Sequence, residues 1–193
     1  MTDYRPVRDP RELRAIAHPV RNRILTELEA HGSLRAADIA RELDIPANQA
    51  SFHLRQLAKY GLVAEDPEAA RDRRDRVWKL ASEQGLTLNL RELEQAPGGK
   101  AAVSVFRRSA AGWAHAAVEQ AFLGDRDEGT HVSTADHAVR LTAEEARELS
   151  EELDEVVRRW SGRTRGREDD RQTYLVFRIV EPYPTDPAEG ERG

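Results

Sequence analysis

Residues 34–63 read LRAADIARELDIPANQASFHLRQLAKYGLV, two helical patterns separated by a three-residue break. In the first, Ala36, Ile39, Ala40 and Leu43 recur at the three- and four-residue spacing of one helix face, with Ser33-Leu34 expected to open the helix. Asp44-Ile45-Pro46 then makes a tight turn, because the residue before a proline avoids helical angles. The second helix is expected from Ala47 to about Tyr60, stopping at Gly61. Helix, short turn, helix is the helix-turn-helix geometry. Projected around the second helix, Ala50, Leu54 and Leu57 share the face turned to the first helix. Asn48, Phe52, Arg55 and Lys59 lie opposite, flanked by Gln49, Ser51 and Gln56. No acid interrupts this outward arc. Its amide and guanidinium groups suit base edges and phosphates, and an exposed Phe52 can meet a thymine methyl. His53 falls at the edge of the buried face and is expected to pack there rather than read bases.

Upstream, Leu13, Ile16, Ala17, Val20, Ile24, Leu25 and Leu28 keep a helical spacing that His18-Pro19 interrupts, giving one helix broken at Pro19 or two short ones. Gly32 ends it, and residues 1–10, charged and containing Pro6 and Pro10, are expected to be a mobile arm. Downstream the period changes: Leu62–Glu65 and Arg76–Leu80 are expected strands, and a hairpin after the second helix is a wing. Its loop brings Arg71, Arg73, Arg74 and Arg76 to the tip, interleaved with Asp72 and Asp75, where they can neutralise phosphates or enter a narrow minor groove.

Leu86–Leu90 alternates as a further strand, and Lys100–Leu123 is a long helix with Val103, Phe106, Ala110, Trp113 and Ala117 on one stripe. The small residues of that stripe permit close helix approach, so it is the expected dimer seam. Phe106, Trp113 and Trp160 could instead line a ligand pocket. Thr142 and Glu145 form a capping box opening a helix to about Trp160, with Ala146, Leu149, Leu153, Val156 and Val157 expected inward. Thr173–Val180 is an expected strand. The architecture is therefore α+β and mostly helical: a mobile arm (1–10), a winged helix-turn-helix domain (11–81), a dimerisation and effector-binding region (82–180) and a disordered tail (181–193).

The net charge of −5 argues against a polyanionic partner only until its distribution is considered. Residues 1–80 carry 15 Lys+Arg against 13 Asp+Glu, net +2, whereas residues 81–193 carry 15 against 22, net −7. The first part is the one suited to nucleic acid. No apolar run approaches a membrane span and the first residues lack the apolar stretch of a signal peptide, so a cytoplasmic chain without membrane contact is expected. The absence of cysteine removes disulfides, thiolate metal sites and thiol nucleophiles. Gly99-Lys100 is not a phosphate loop, since Glu94 and Ala101 stand where Gly and Ser or Thr are required. His115, Glu119, His131 and His137 match no metal-ligand spacing, no catalytic constellation stands out, and neither metal, cofactor nor enzymatic activity is expected.

Four segments, taken in order, resemble the ArsR-type winged-helix repressors. They are His18-Pro19-Val20-Arg21-Asn22-Arg23-Ile24-Leu25; Ala37-Asp38-Ile39-Ala40; Ser51-Phe52-His53-Leu54 through Leu57 to Gly61-Leu62-Val63; and Asp72-Arg73-Arg74-Asp75-Arg76-Val77-Trp78-Lys79-Leu80. The resemblance covers about Leu13 to Ala81 and implies a homodimer that binds double-stranded DNA at a palindromic operator and represses until a signal releases it. Metal sensing through cysteines does not carry over. The part from Leu86 onward exceeds the short terminal helix of simpler members and resembles a subgroup with an added α+β region. The competing readings are a winged helix used as a protein docking surface, which calls for a larger apolar patch, and a small-molecule sensor or enzyme in residues 82–193.

Overall fold

The structure, a computed structural model, describes residues 4–70, 76–82, 85–125, 128–167 and 171–183. The chain divides into two compact units, the first formed by Met1–Val118 and Thr164–Thr173, the second by Glu119–Arg163 and Tyr174–Gly193.

In the first unit, β1 (Arg5–Val7) is followed by α1 (Pro10–Ile16) and α2 (Pro19–His31). Asp9 caps α1 by accepting from the Arg11 amide, and Pro10 occupies the first turn, where its missing N–H costs nothing. The break between the helices falls at His18, held extended by Pro19, so the interrupted pattern resolves into two helices. Gly32, at φ 91°, closes α2 in a conformation that disfavours any side chain. The α2 carbonyls left without helical partners are taken up by the returning segment: Arg165 Nε donates to Glu29 O and the Gly166 amide to His31 O.

Ser33–Arg35 form a strand, β2, rather than the start of the next helix, because the ladder to β4 (Val77–Leu80) claims their backbone in the register Ser33 to Lys79, Leu34 to Trp78 and Arg35 to Val77. Helix α3 (Ala36–Leu43) then begins, with Asp38 accepting from the Arg35 amide, and ends at Asp44 in the left-handed region. Helix α4 runs Ala47–Lys59, and Gly61, at φ 62°, turns the chain into β3 (Val63–Glu65). β3 pairs antiparallel with β4, giving a three-stranded sheet in the order β2-β4-β3. Asp66 fastens it, accepting from Ser33 Oγ at 2.7 Å and Lys79 Nζ at 3.2 Å. The Ser33 hydrogen bond first, then Lys79, holds its carboxyl below the ordinary carboxylate range.

Two expectations change here. Arg5–Val7, placed in a mobile arm, pair in parallel with β5 (Leu86–Leu88), and Val7 is buried, since its apolar side chain has a core to join. The strand expected over Leu86–Leu90 ends at Leu88, because Asn89 accepts from the Glu92 amide and caps the short helix α5 (Leu90–Gln95). Helix α6 spans Gly99–Leu123. Leu13, Ile24, Leu28, Ile39, Leu54, Leu57, Leu62 and Val103 are fully buried and form the centre of one core.

The second unit contains α7 (Ala143–Thr164), opened by the expected capping box: the Glu145 amide donates to Thr142 Oγ1, and the Thr142 amide and hydroxyl donate to Glu145. The inward face expected for this helix is not found, as α7 has no buried residue. Nor do residues 173–180 form a strand; no partner ladder reaches them among the described residues. Thr173, which belongs to the first unit, donates its hydroxyl to Glu27 at 3.0 Å, whereas in the second unit the His131 amide donates to Tyr174 OH and Arg178 pairs with Asp154. Most of the tail beyond residue 181 lies outside the described residues. No helix is long and apolar enough to cross a membrane among the described residues.

Candidate nucleic-acid interface

The orientation of α4 is fixed by what it buries. Ala50, Leu54 and Leu57 are fully buried against the core, so the helix cannot rotate without exposing leucines, each of which is worth about 1.5–3 kcal/mol of burial. That lock turns Asn48, Gln49, Phe52, Arg55 and Lys59 outward, with Ser51 and Gln56 half-buried on the flanks. Phe52 is 49% exposed, which is unusual for an aromatic on a merely solvated helix. Asn48 Oδ1 accepts from the Gln49 amide within the first turn, and Lys59 Nζ lies 5.9 Å from the Tyr60 ring. Arg55 has no ion pair among the described residues, so its guanidinium carries its whole donor fork to the surface.

The wing is present as the β3–β4 hairpin, but Arg71, Arg73 and Arg74 lie outside the described residues. Arg76 is described, at the foot of the hairpin: it is exposed and 3.6 Å from Glu65, a surface pair worth at most about 1 kcal/mol.

His53 is buried, as its place on the helix edge implied, and the structure supplies a partner the sequence did not reveal. The ring of His18, from the extended link between α1 and α2, lies 4.8 Å from that of His53, and neither Nδ1 has a hydrogen-bond partner among the described residues. Burial, foremost, pushes both imidazoles toward the neutral form; the charge of Arg21 adds to this on both, and His18 adds to it on His53. One residue before, the Ala17 carbonyl accepts from Ser109 Oγ of α6 at 2.6 Å. A polar residue on an otherwise apolar helix face was the only sequence signal for this junction.

The expected seam residues of α6 divide. Val103 is fully buried in the protomer's own core and Phe106 packs partly against it, which withdraws Val103 from any intermolecular role. Ala110 and Trp113 are exposed, Trp113 by 39%, and Ala117 is half-buried. Val105 and Val118, outside the stripe, are exposed as well.

Residues 16–66 match the model of a family described as a helix-turn-helix domain, the span that contains α2, α3 and α4. The span also takes in β3, and β4 beyond its end closes the hairpin of the wing. The chain contains a winged helix-turn-helix domain. The helix-turn-helix is an architecture through which many proteins bind DNA, its second helix lying in the major groove. Among solved structures, the chain is similar to the C30AH42A mutant of Lactococcus lactis ZitR in apo form, with 19% identity, 75% of this chain and 83% of that chain covered, and a TM-score of 0.35. It is also similar to the YusO protein from Bacillus subtilis, with 15% identity, 77% and 83% covered, and a TM-score of 0.32. No curated protein shows significant similarity to it.

Proposed function

We propose that this protein is a DNA-binding transcription regulator, a homodimeric repressor of the ArsR type that binds a palindromic operator in double-stranded DNA. The observation that carries this is the acid-free outward face of α4, locked in place by Ala50, Leu54 and Leu57. In this reading Asn48, Gln49 and Arg55 meet base edges in the major groove, Phe52 meets a thymine methyl, and Ser51, Gln56 and Lys59 hold the adjoining backbone. Arg71, Arg73, Arg74 and Arg76 anchor the wing on phosphates or in the minor groove. Ala110, Trp113 and Ala117 of α6 form the seam, and the twofold axis of the dimer is matched by the palindromy of the site. Residues 82–180 carry the dimerisation surfaces.

Titration of the purified chain against fluorescent duplexes at several salt concentrations tests the reading. Affinity should fall steeply as salt rises, because each neutralised phosphate releases counterions. Affinity that stays flat with salt would transfer the role of α4 and the wing to protein docking.

A further inference from the structure

Helix α7 has an apolar stripe that its own chain does not bury. Ala146, Leu149, Leu153, Val156 and Trp160 follow one another at intervals of three, four, three and four residues, the heptad spacing of a two-helix seam. Leu153 is 37%, Val156 41% and Trp160 57% exposed; Ala146 and Leu149, at the start of the stripe, are half-buried, as are Ser150, Asp154 and Arg158 on the adjoining face. In proteins most of a helix's stability comes from packing its apolar face.

The charges select what can cover that stripe. Residues 144–155 carry Glu144, Glu145, Glu148, Glu151, Glu152, Asp154 and Glu155 against Arg147 alone, net −6, whereas the rest of the helix carries Arg158, Arg159 and Arg163 and no acid. This polarity suits the helix's own dipole, but it also makes α7 complementary to itself when reversed. A parallel copy would set acid on acid along more than half the seam. A reversed copy lays the arginine end over the acidic start at both ends of the contact. Leu153 lies seven residues from both Ala146 and Trp160, so a reversed copy centred on Leu153 sets Ala146 opposite Trp160, with Leu149 and Val156, four and three residues from Leu153, meeting between them.

We propose that α7 pairs antiparallel with α7 of a second copy of this chain, in a two-helix seam centred on Leu153. The proposal rests on the homodimer reading above and adds a contact separate from α6. It places a twofold axis beside Leu153, an isologous arrangement in which each contact occurs twice.

The chain lacks cysteine, so single engineered cysteines report the register directly. In the full-length protein, Leu153→Cys should form disulfide-linked dimers under mild oxidation, because a disulfide requires Cα atoms within about 7 Å. Ala146→Cys alone and Trp160→Cys alone should not cross-link, and an equimolar mixture of the two should. Cross-linking of Ala146→Cys to itself would show a parallel pair and overturn the proposal. A charge test stands beside it, since a cysteine variant could fail to fold. Arg158, Arg159 and Arg163 all changed to Glu should weaken self-association, and so should Glu144, Glu145 and Glu148 all changed to Lys. Mixing the two proteins should restore a one-to-one dimer. A wild-type chain that is monomeric by light scattering refutes the homodimer reading itself; a dimeric wild type whose Leu153→Cys form does not cross-link refutes only the α7 pairing.

Discussion

Arg55 and Leu54 are neighbours on α4 whose substitutions should fail in different ways. Leu54 is fully buried, so Leu54→Ala removes core packing and leaves a cavity, at about 2–5 kcal/mol of stability. Arg55 is exposed with no ion pair among the described residues, so Arg55→Ala should alter stability by no more than about 0.5 kcal/mol. Its effect should appear on DNA. Loss of a bidentate base contact costs about 1–3 kcal/mol on the specific site, which is about 5- to 150-fold in Kd, with much less change on a scrambled duplex of the same length. Thermal denaturation reads the first quantity, and anisotropy titrations on operator and scrambled duplexes read the second. Equal losses of affinity on both duplexes would make Arg55 a phosphate anchor and not a base reader, and a lowered Tm would mean that α4 does not turn Arg55 to solvent.

Arg74→Ala should weaken operator and scrambled DNA alike and reduce the slope of log affinity against log salt by about 0.9, the value of one phosphate contact. Ala110→Asp or Ala117→Glu should yield monomers in light scattering with weakened operator binding; dimers that retain full binding would remove α6 from the seam. For His18 and His53, burial lowers the folded pKa below the ordinary 6.5, so the unfolded chain binds more protons as the solution is acidified. Their contribution to stability is full above pH 6.5 and is lost as pH falls below it through the folded pKa, so Tm should drop between pH 7.5 and 5.5, and less steeply in His53→Gln. Asp66→Ala leaves the Ser33 hydroxyl without its acceptor and should lower Tm; an unchanged Tm would show that the clamp across β2 and β4 contributes nothing.

The helix-turn-helix was legible because its determinants are local. The spacing of Ile39 and Leu43, Pro46, the apolar set Ala50, Leu54 and Leu57, and Gly61 each act within a few residues, and the outward arc follows from the buried one. What the sequence hid depends on distant partners. Ser33–Arg35 become a strand only because Val77–Lys79 lie alongside, and Arg5–Val7 become one only because Leu86–Leu88 do. Val103 shares the periodicity of Ala110 and Trp113, yet lies where α6 meets the core, and a stripe alone does not tell where along a helix the core ends. Helix α7 has the amphipathic pattern of a packed helix, and periodicity reports an apolar face without naming what covers it. The His18–His53 contact joins residues far apart in the chain.

The central claim is that a twofold pair of α4 helices reads DNA. Selection of bound sequences from a random duplex library, followed by footprinting of the enriched site with the wild-type chain, tests it most directly. A twofold pair should enrich an inverted repeat whose half-sites lie about 10 base pairs apart, or a multiple of that, centre to centre, with protection at both halves. A library that yields no enriched sequence, or a single half-site protected by one copy of the chain, would contradict it.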